Sequence, residues 1–362
     1  MNSPRRQVSQ KPKVARGNTK KEIRVPKTFG NLWPAITCWD NLYLGYRQAA
    51  QRKRYSDAAL EFRGRLEENL FDIQNHLIWG TWRPGAYKKF TVFEPKERQI
   101  MAPPFKDRVV HHALLNITEP LFERKMIEHS YACRVGKGSH RAALQVQKYL
   151  RTAKGRWGGK MYVLKADISK YFPSVLADQA KRMFARTIRD KKAINLHGMI
   201  MDHGATAGVG MPVGALTSQL EANVYFTGID HMVKDDLGVN FYVRYVDDWV
   251  IIHHDKQYLW NVLSLMEEEM IRLGLKLNKK TDTQPASHGV DFCGYRIWAT
   301  HMLPRKKNVR RAKNRFRALA EKYSPGNIDF ERIRPVVSSF VGYMKHCSGH
   351  RTAQSTLACM TI

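Results

Sequence analysis

Phe241-Tyr242-Val243-Arg244-Tyr245-Val246-Asp247-Asp248-Trp249-Val250-Ile251-Ile252-His253 holds two apolar, β-rich runs, 241–245 and 249–253, joined by a short acidic link. Aromatic and β-branched side chains suit a pleated, half-buried surface, so the spacing predicts a tight hairpin joined through Val246-Asp247-Asp248. An Asp-Asp pair in a turn is ordinarily a solvated loop, because aspartate favours turns for its own hydrogen bonding. Between runs this apolar the pair is costly, since adjacent carboxylates raise each other's pKa unless a cation lies between them.

Outward from the hairpin, Tyr162-Val163-Leu164-Lys165-Ala166-Asp167-Ile168 reads as a buried strand that ends in an acid. A buried strand does not favour a carboxylate there unless the acid is needed. Three carboxylates at strand ends are what a two-metal phosphoryl transferase requires. Mg²⁺ takes hard oxygen ligands and keeps several waters, and two such ions roughly 3.5–4 Å apart serve the attacking and leaving oxygens. Asp167, Asp247 and Asp248 are therefore the predicted catalytic and metal-binding residues, with two Mg²⁺ ions as cofactor and Mn²⁺ as a substitute.

The charge balance points to the partner. The 362 residues carry 61 Lys+Arg against 32 Asp+Glu, a net charge of +29, while a hydrophobic content of 43% is that of a folded chain. Such an excess suits a polyanion, and nucleic acid leads because each neutralised phosphate releases a counterion. No apolar run approaches a membrane span and no apolar segment follows the basic start, so a soluble, cytoplasmic protein without membrane contact is expected. Five cysteines without a C-x-x-C pattern fit reduced thiols. The group His346, Cys347 and His350 lacks a second paired half and reads as packing rather than a zinc site.

The remaining pattern mixes helices and strands, which gives an α+β class; there is no regular βαβ alternation and no glycine-rich nucleotide fingerprint. Residues 1–30 read as a flexible basic arm. Helical spacing runs from Trp39 through Leu77, and Tyr87–Glu94 and Gln99–Ala102 form a hairpin with Lys96 and Arg98 at its basic tip. Asp107–Phe122 is helical, with His111 and His112 expected on a surface that meets nucleic-acid backbone. Leu259, Val262, Met266 and Met270 mark an amphipathic helix closed at Gly274. Near the end, Val309, Ala312, Phe316 and Leu319 form an apolar stripe between Arg310, Arg311, Lys313 and Arg315, the mark of a basic amphipathic helix.

Several of these stretches resemble the ordered motifs of reverse transcriptases. Val163–Pro173 resembles motif A, Met211–Gln219 motif B, Tyr245-Val246-Asp247-Asp248 motif C, Leu275–Thr281 motif D and Phe292–Ile297 the primer-grip turn of motif E. Together they cover roughly residues 85 to 300. The resemblance implies a right-hand polymerase: N-terminal helices and fingers over 31–160, a palm of antiparallel sheet with helices on one face over 161–300, a fingers insertion at about 176–210, and a short basic helical thumb over 301–362. It further implies that the Ile168 carbonyl adds a metal ligand and that Lys96 and Arg98 grip the incoming triphosphate. Phe172 would be the steric gate for deoxynucleotides, and Val213, Gly214, Ser218 and Gln219 would line the nucleotide site. Lys280 would serve as general acid, with Lys279 equally placed by spacing. The thumb cations Arg310, Arg311, Lys313 and Arg315 would follow nucleic acid.

Motif B departs from the retroviral and intron pattern, having Val213-Gly214 for Gln-Gly and Ser218-Gln219 for Ser-Pro. That variant, with the flanks Phe105–Leu114, Ser130–Arg134 and Gly294–His301, resembles the reverse transcriptases of diversity-generating retroelements. The resemblance then implies an RNA template copied into adenine-mutagenised cDNA from dNTPs, a pentameric basic accessory protein, and a bacterial or phage origin. The alternatives are an antiviral defence reverse transcriptase and a catalytically inactive RNA-binding scaffold. A group II intron protein is less expected, since little chain follows the thumb-like segment.

Overall fold

The computed structural model describes residues 28–93, 97–323 and 328–360. Most of the basic arm, and Lys96 at the hairpin tip, lie outside the described residues.

The described residues open with four short helices, α1 (Trp33–Thr37), α2 (Trp39–Ala49), α3 (Asp57–Gly64) and α4 (Leu66–Ile78). Two strands follow, β1 (Lys88–Val92) and β2 (Arg98–Ala102), then α5 (Phe105–Glu123) and α6 (Ser139–Trp157). Strand β3 (Tyr162–Asp167) leads into the one-turn helix α7 (Tyr171–Ser174), followed by α8 (Ala177–Ala185), α9 (Lys191–Gly204) and α10 (Leu216–His231). The hairpin of β4 (Tyr242–Tyr245) and β5 (Asp248–His253) precedes α11 (Lys256–Arg272) and β6 (Asp282–Pro285). Strands β7 (Val290–Phe292), β8 (Tyr295–Ile297) and β9 (Met302–Pro304) and helices α12 (Lys306–Tyr323), α13 (Phe330–Met344) and α14 (His350–Leu357) complete the α+β fold.

Four strands pair in the order β4-β5-β3-β6, all antiparallel. Alternation along them splits the core in two. Leu164, Ala166, Tyr242, Trp249 and Ile251 point to one face and pack with Phe226 of α10 and Met266 of α11. Val163, Val243, Val250 and Ile252 point to the other, where Val146 and Leu150 of α6 meet Phe292 and Tyr295 of the three-stranded β7-β8-β9 sheet. Helices α10 and α11 cover one face as expected, and α6 with the β7-β8-β9 sheet covers the other, because β3 and β5 are apolar on both sides, as strands buried between two layers must be.

A separate core joins Leu42, Leu70 and Ile73 of the N-terminal helices to Val109 and Leu114 of α5 and to Phe184, Leu196 and Ile200 of α8 and α9. Asp190 links these regions. One oxygen accepts the first N–H groups of α9 from Lys192 and Ala193, and the other accepts from Leu32 and Trp33 at the start of α1, at 2.8 and 3.0 Å. One carboxylate therefore caps two helices, satisfying donors that have no partner within either helix. Beside it, Phe29 bridges Ile188, donating to the Thr187 carbonyl and accepting from the Arg189 N–H. The last residues of the expected arm are therefore paired, not free.

His111 corrects another expectation. It is 1% exposed within α5, and burial pushes its imidazole down to about 3, so it packs in the core as a neutral ring and meets no solvent-borne backbone.

Candidate active site

The acidic link is shorter than the sequence spacing predicts. Asp248 is paired with Tyr245 across the hairpin and with Asp167 on β3, so it opens β5 and leaves only Val246 and Asp247 in the turn. Two-residue hairpins need a residue with positive φ. Here that residue is Val246, at φ +55, a β-branched side chain in the left-handed region. Such a conformation costs on the order of 1–3 kcal/mol and persists only where the surroundings hold it.

The surroundings are specific. The Ile168 N–H donates to the Asp247 carbonyl at 3.1 Å, which ties the turn to the end of β3. Arg244, wholly buried, donates from Nη1 to the Val246 carbonyl at 3.0 Å and to Asn223 Oδ1 at 3.2 Å. Its Nε and Nη2 hold both oxygens of Asp230, which also accepts from the Tyr242 hydroxyl at 2.7 Å. On the far side of β3, Asn278 donates to Asp167 twice: its N–H to the carbonyl at 2.7 Å and its Nδ2 to Oδ2 at 2.8 Å.

The three predicted acids are thereby brought together. Burial, with Asp167 and Asp248 close by, pushes the Asp247 carboxyl up to about 6, and Arg98 on β2 pulls in the opposite direction. Among the described residues no group of three or more histidine, cysteine, aspartate or glutamate side chains is already arranged to hold a metal ion. The carboxylates instead repel one another at the end of the sheet. Hard oxygens whose repulsion Arg98 only partly offsets fit Mg²⁺, which takes few protein ligands and completes its shell with water and phosphate.

The other predicted residues fall around this point in varying degrees. Met211 donates its N–H to the Phe172 carbonyl at 2.9 Å, and Met101 donates to the Val213 carbonyl at 2.8 Å, so the motif B loop joins the turn after β3 to the β1–β2 hairpin. Phe172 and Val213 are half-buried. Gly214 takes φ +119, and a Cβ there would stand 2.9 Å from Ile100 Cγ2, so glycine is required by both conformation and space. Ser218 is buried in the first turn of α10 and Gln219 beside it is exposed. Lys280 is exposed, its N–H donating to Asn278 Oδ1 at 3.1 Å. Further along, Arg310, Arg311 and Arg315 line a groove of about 590 Å³ on α12 together with Lys307 and Asn314, whereas Lys313 is not among its lining residues.

Sequence reasoning missed Arg244, Asp230, Asn223 and Asn278. A signal existed for Arg244 alone, a cation inside an apolar strand, which a buried sheet tolerates only with a partner.

A carboxylate cluster at the end of an antiparallel sheet, faced by a basic hairpin and layered between helices, defines a polymerase palm. Residues 87–297, more than half of the chain, match the family described as reverse transcriptase (RNA-dependent DNA polymerase). The chain belongs to the reverse transcriptase family. It is 23% identical over 222 residues to the group II intron-encoded protein LtrA of Lactococcus lactis subsp. cremoris, covering 58% of this chain and 36% of that protein. It is 27% identical over 145 residues to nuclear intron maturase 2, mitochondrial, of Arabidopsis thaliana, covering 36% and 19%. With protein YkfC of Escherichia coli (strain K12) it shares 26% over 185 residues, 47% of each chain. The chain thus spans less than half the length of each of these relatives. Among solved structures, apo telomerase from Candida tropicalis, truncated from its C-terminal domain, aligns with a TM-score of 0.47 and 14% identity, covering 61% of this chain and 55% of that one. Among the described residues no helix is long and apolar enough to cross a membrane.

Proposed function

We propose that the chain is an RNA-directed DNA polymerase that extends a primer on an RNA template with dNTPs. The observation that carries this reading is the meeting of Asp167, Asp247 and Asp248 opposite Arg98. In this reading Asp167, Asp247 and Asp248, with the Ile168 carbonyl, would hold two divalent ions. When bound, Mg²⁺ supplies the positive charge that favours the 3′-oxygen as nucleophile and pyrophosphate as leaving group. Arg98 and Lys96 bind triphosphate oxygens as charge-assisted donors. Phe172 and the Val213–Gly214 loop shape the nucleotide pocket, and Lys280 gives a proton to the departing pyrophosphate. The β1–β2 hairpin with the N-terminal helices and 176–210 forms the fingers, the four-stranded sheet the palm, and 301–362 the thumb, whose groove-lining Arg310, Arg311 and Arg315 follow the duplex, with Lys313 outside that groove.

The finer reading is a diversity-generating retroelement enzyme that makes adenine-mutagenised cDNA with a pentameric basic accessory protein. It is supported by Val213-Gly214 and Ser218-Gln219 in motif B. A second reading, work on intron RNA, is favoured by the intron-related names of LtrA and the maturase. Primer extension on an RNA template with Mg²⁺ tests the polymerase, and absence of extension by the wild-type chain refutes it. Sequencing of RNA that co-purifies with the protein separates the finer readings: a repeat with functional adenines supports the first, and a structured intron overturns it.

A further inference from the structure

Arg244 is the one cation of the four-stranded sheet that is wholly buried, and nucleotide chemistry as proposed above makes no use of it. Its guanidinium is a fork with three destinations. Nε and Nη2 take Asp230, while Nη1 reaches Asn223 and the carbonyl of Val246. Two of the partners are fixed independently. Asp230 also accepts from Tyr242, Asn223 donates Nδ2 to the Ala132 carbonyl at 2.8 Å, and the Phe226 ring lies under the guanidinium at 5.1 Å. The main chain of Arg244 is held as well, its N–H donating to the His129 carbonyl and its carbonyl accepting from Tyr131. A group so fully immobilised is a fixed reference point, and what it touches on the active-site side is the turn residue with the unfavourable backbone.

We propose that Arg244 is a positioning residue: by holding the Val246 carbonyl it keeps the Val246–Asp247 turn left-handed and so sets where the Asp247 carboxylate is presented to metal. The inference rests on the polymerase reading only for the identity of the reaction. Val246 at φ +55 would relax toward ordinary negative φ if its carbonyl were released, and that rotation carries the next residue with it. Arginine is needed because only a planar fork pairs with a carboxylate and reaches a carbonyl at once; a lysine ammonium keeps the charge but not the second reach.

Arg244→Lys tests the assignment. The variant keeps a cation for Asp230, so it is expected to fold. Mn²⁺ binding, followed by electron paramagnetic resonance without nucleotide, should weaken roughly three- to tenfold, and kcat should fall about tenfold or more, a barrier change of about one tenfold step. The affinity for template–primer measured without metal should stay within about twofold, because duplex binding does not depend on how the turn presents Asp247. Adding Val246→Gly to Arg244→Lys should restore most of the Mn²⁺ affinity, since glycine takes positive φ without strain. A merely structural ion pair would gain nothing from that second change. Should Arg244→Lys not fold, Asn223→Ala leaves the Asp230 pair intact while removing an acceptor that orients the fork, and a smaller shift in the same direction is expected. Unchanged Mn²⁺ affinity in a folded variant, or no rescue by Val246→Gly, overturns the proposal. If the wild-type chain extends no primer yet the Mn²⁺ shift and rescue appear, the polymerase reading fails and the positioning role stands.

Discussion

Asn278 grips Asp167 at two points, main chain to main chain at 2.7 Å and amide to Oδ2 at 2.8 Å, across 111 residues of sequence. The side-chain bond restrains one carboxylate oxygen and leaves the other available. Asn278→Ala keeps the main-chain bond and frees the carboxylate. DNA synthesis should fall roughly tenfold and the melting temperature should fall as well, since a hydrogen bond to a charged group contributes about 1.5–3 kcal/mol to stability. Steady-state primer extension beside a thermal melt decides it; full activity would show that Asp167 needs no second restraint.

Asp247→Asn should lose more than a hundredfold in DNA synthesis while binding RNA as the wild type does, because the carboxylate serves metal rather than template. Its effect on stability has the opposite sign. The folded carboxyl, pushed up to about 6 from 3.8, binds a proton more tightly than the unfolded chain does. Stability therefore declines as pH rises from about 4 through 6. Asparagine is neutral throughout, so with chelator at pH 7.5 the variant should be more stable by about 1–3 kcal/mol, and below pH 4 the difference should vanish. Urea titrations at the two pH values measure it.

The basic groove on α12 separates two groups of cations that the sequence placed together. Arg310, Arg311 and Arg315 line it and Lys313 does not. Changing the three arginines to Gln should weaken template–primer binding evenly across sequences and reduce the salt slope by about 0.7–0.9 per lost phosphate contact. Lys313→Gln alone should change neither. Binding isotherms at several salt concentrations test both, and equal effects from all four positions would mean that the groove is not the track.

Asp190→Ala removes the cap of α9 and the anchor of α1 together. A single cap contributes about 0.5–2 kcal/mol, so a loss of about 1–3 kcal/mol is expected, with trypsin cutting the N-terminal helices faster than in the wild type. A wild-type unfolding midpoint would show that the two helices hold without it.

What the sequence made legible follows the reach of each signal. Strands β3 to β5 were readable because alternation and β-branching are local, and Asp167, Asp247 and Asp248 because acids at the ends of such strands are conspicuous. The assignment of Asp248 to β5 rather than the link was not readable, because it depends on pairing with Tyr245 and Asp167. Asn278, Asn223 and Asp230 act across the fold, and no spacing rule connects them to the carboxylates. His111 was misplaced for the same reason: a histidine on a helix looks alike on either face until the packing partner is known. Gly214 was readable as part of a motif, but its reason, the approach of Ile100, belongs to the tertiary structure.

Ser130 bridges Arg244 in parallel, and the flanking His129 carbonyl and Tyr131 N–H take the N–H and C=O of Arg244 on the outer strand β4. An outer strand with unused main-chain groups invites a strand from another molecule. By engaging the main chain of Arg244 with residues of its own, the protein blunts the template for edge-to-edge association at that point of the strand. Shortening or loosening 129–131 would therefore show first as aggregation during synthesis of the protein, before any change in its chemistry.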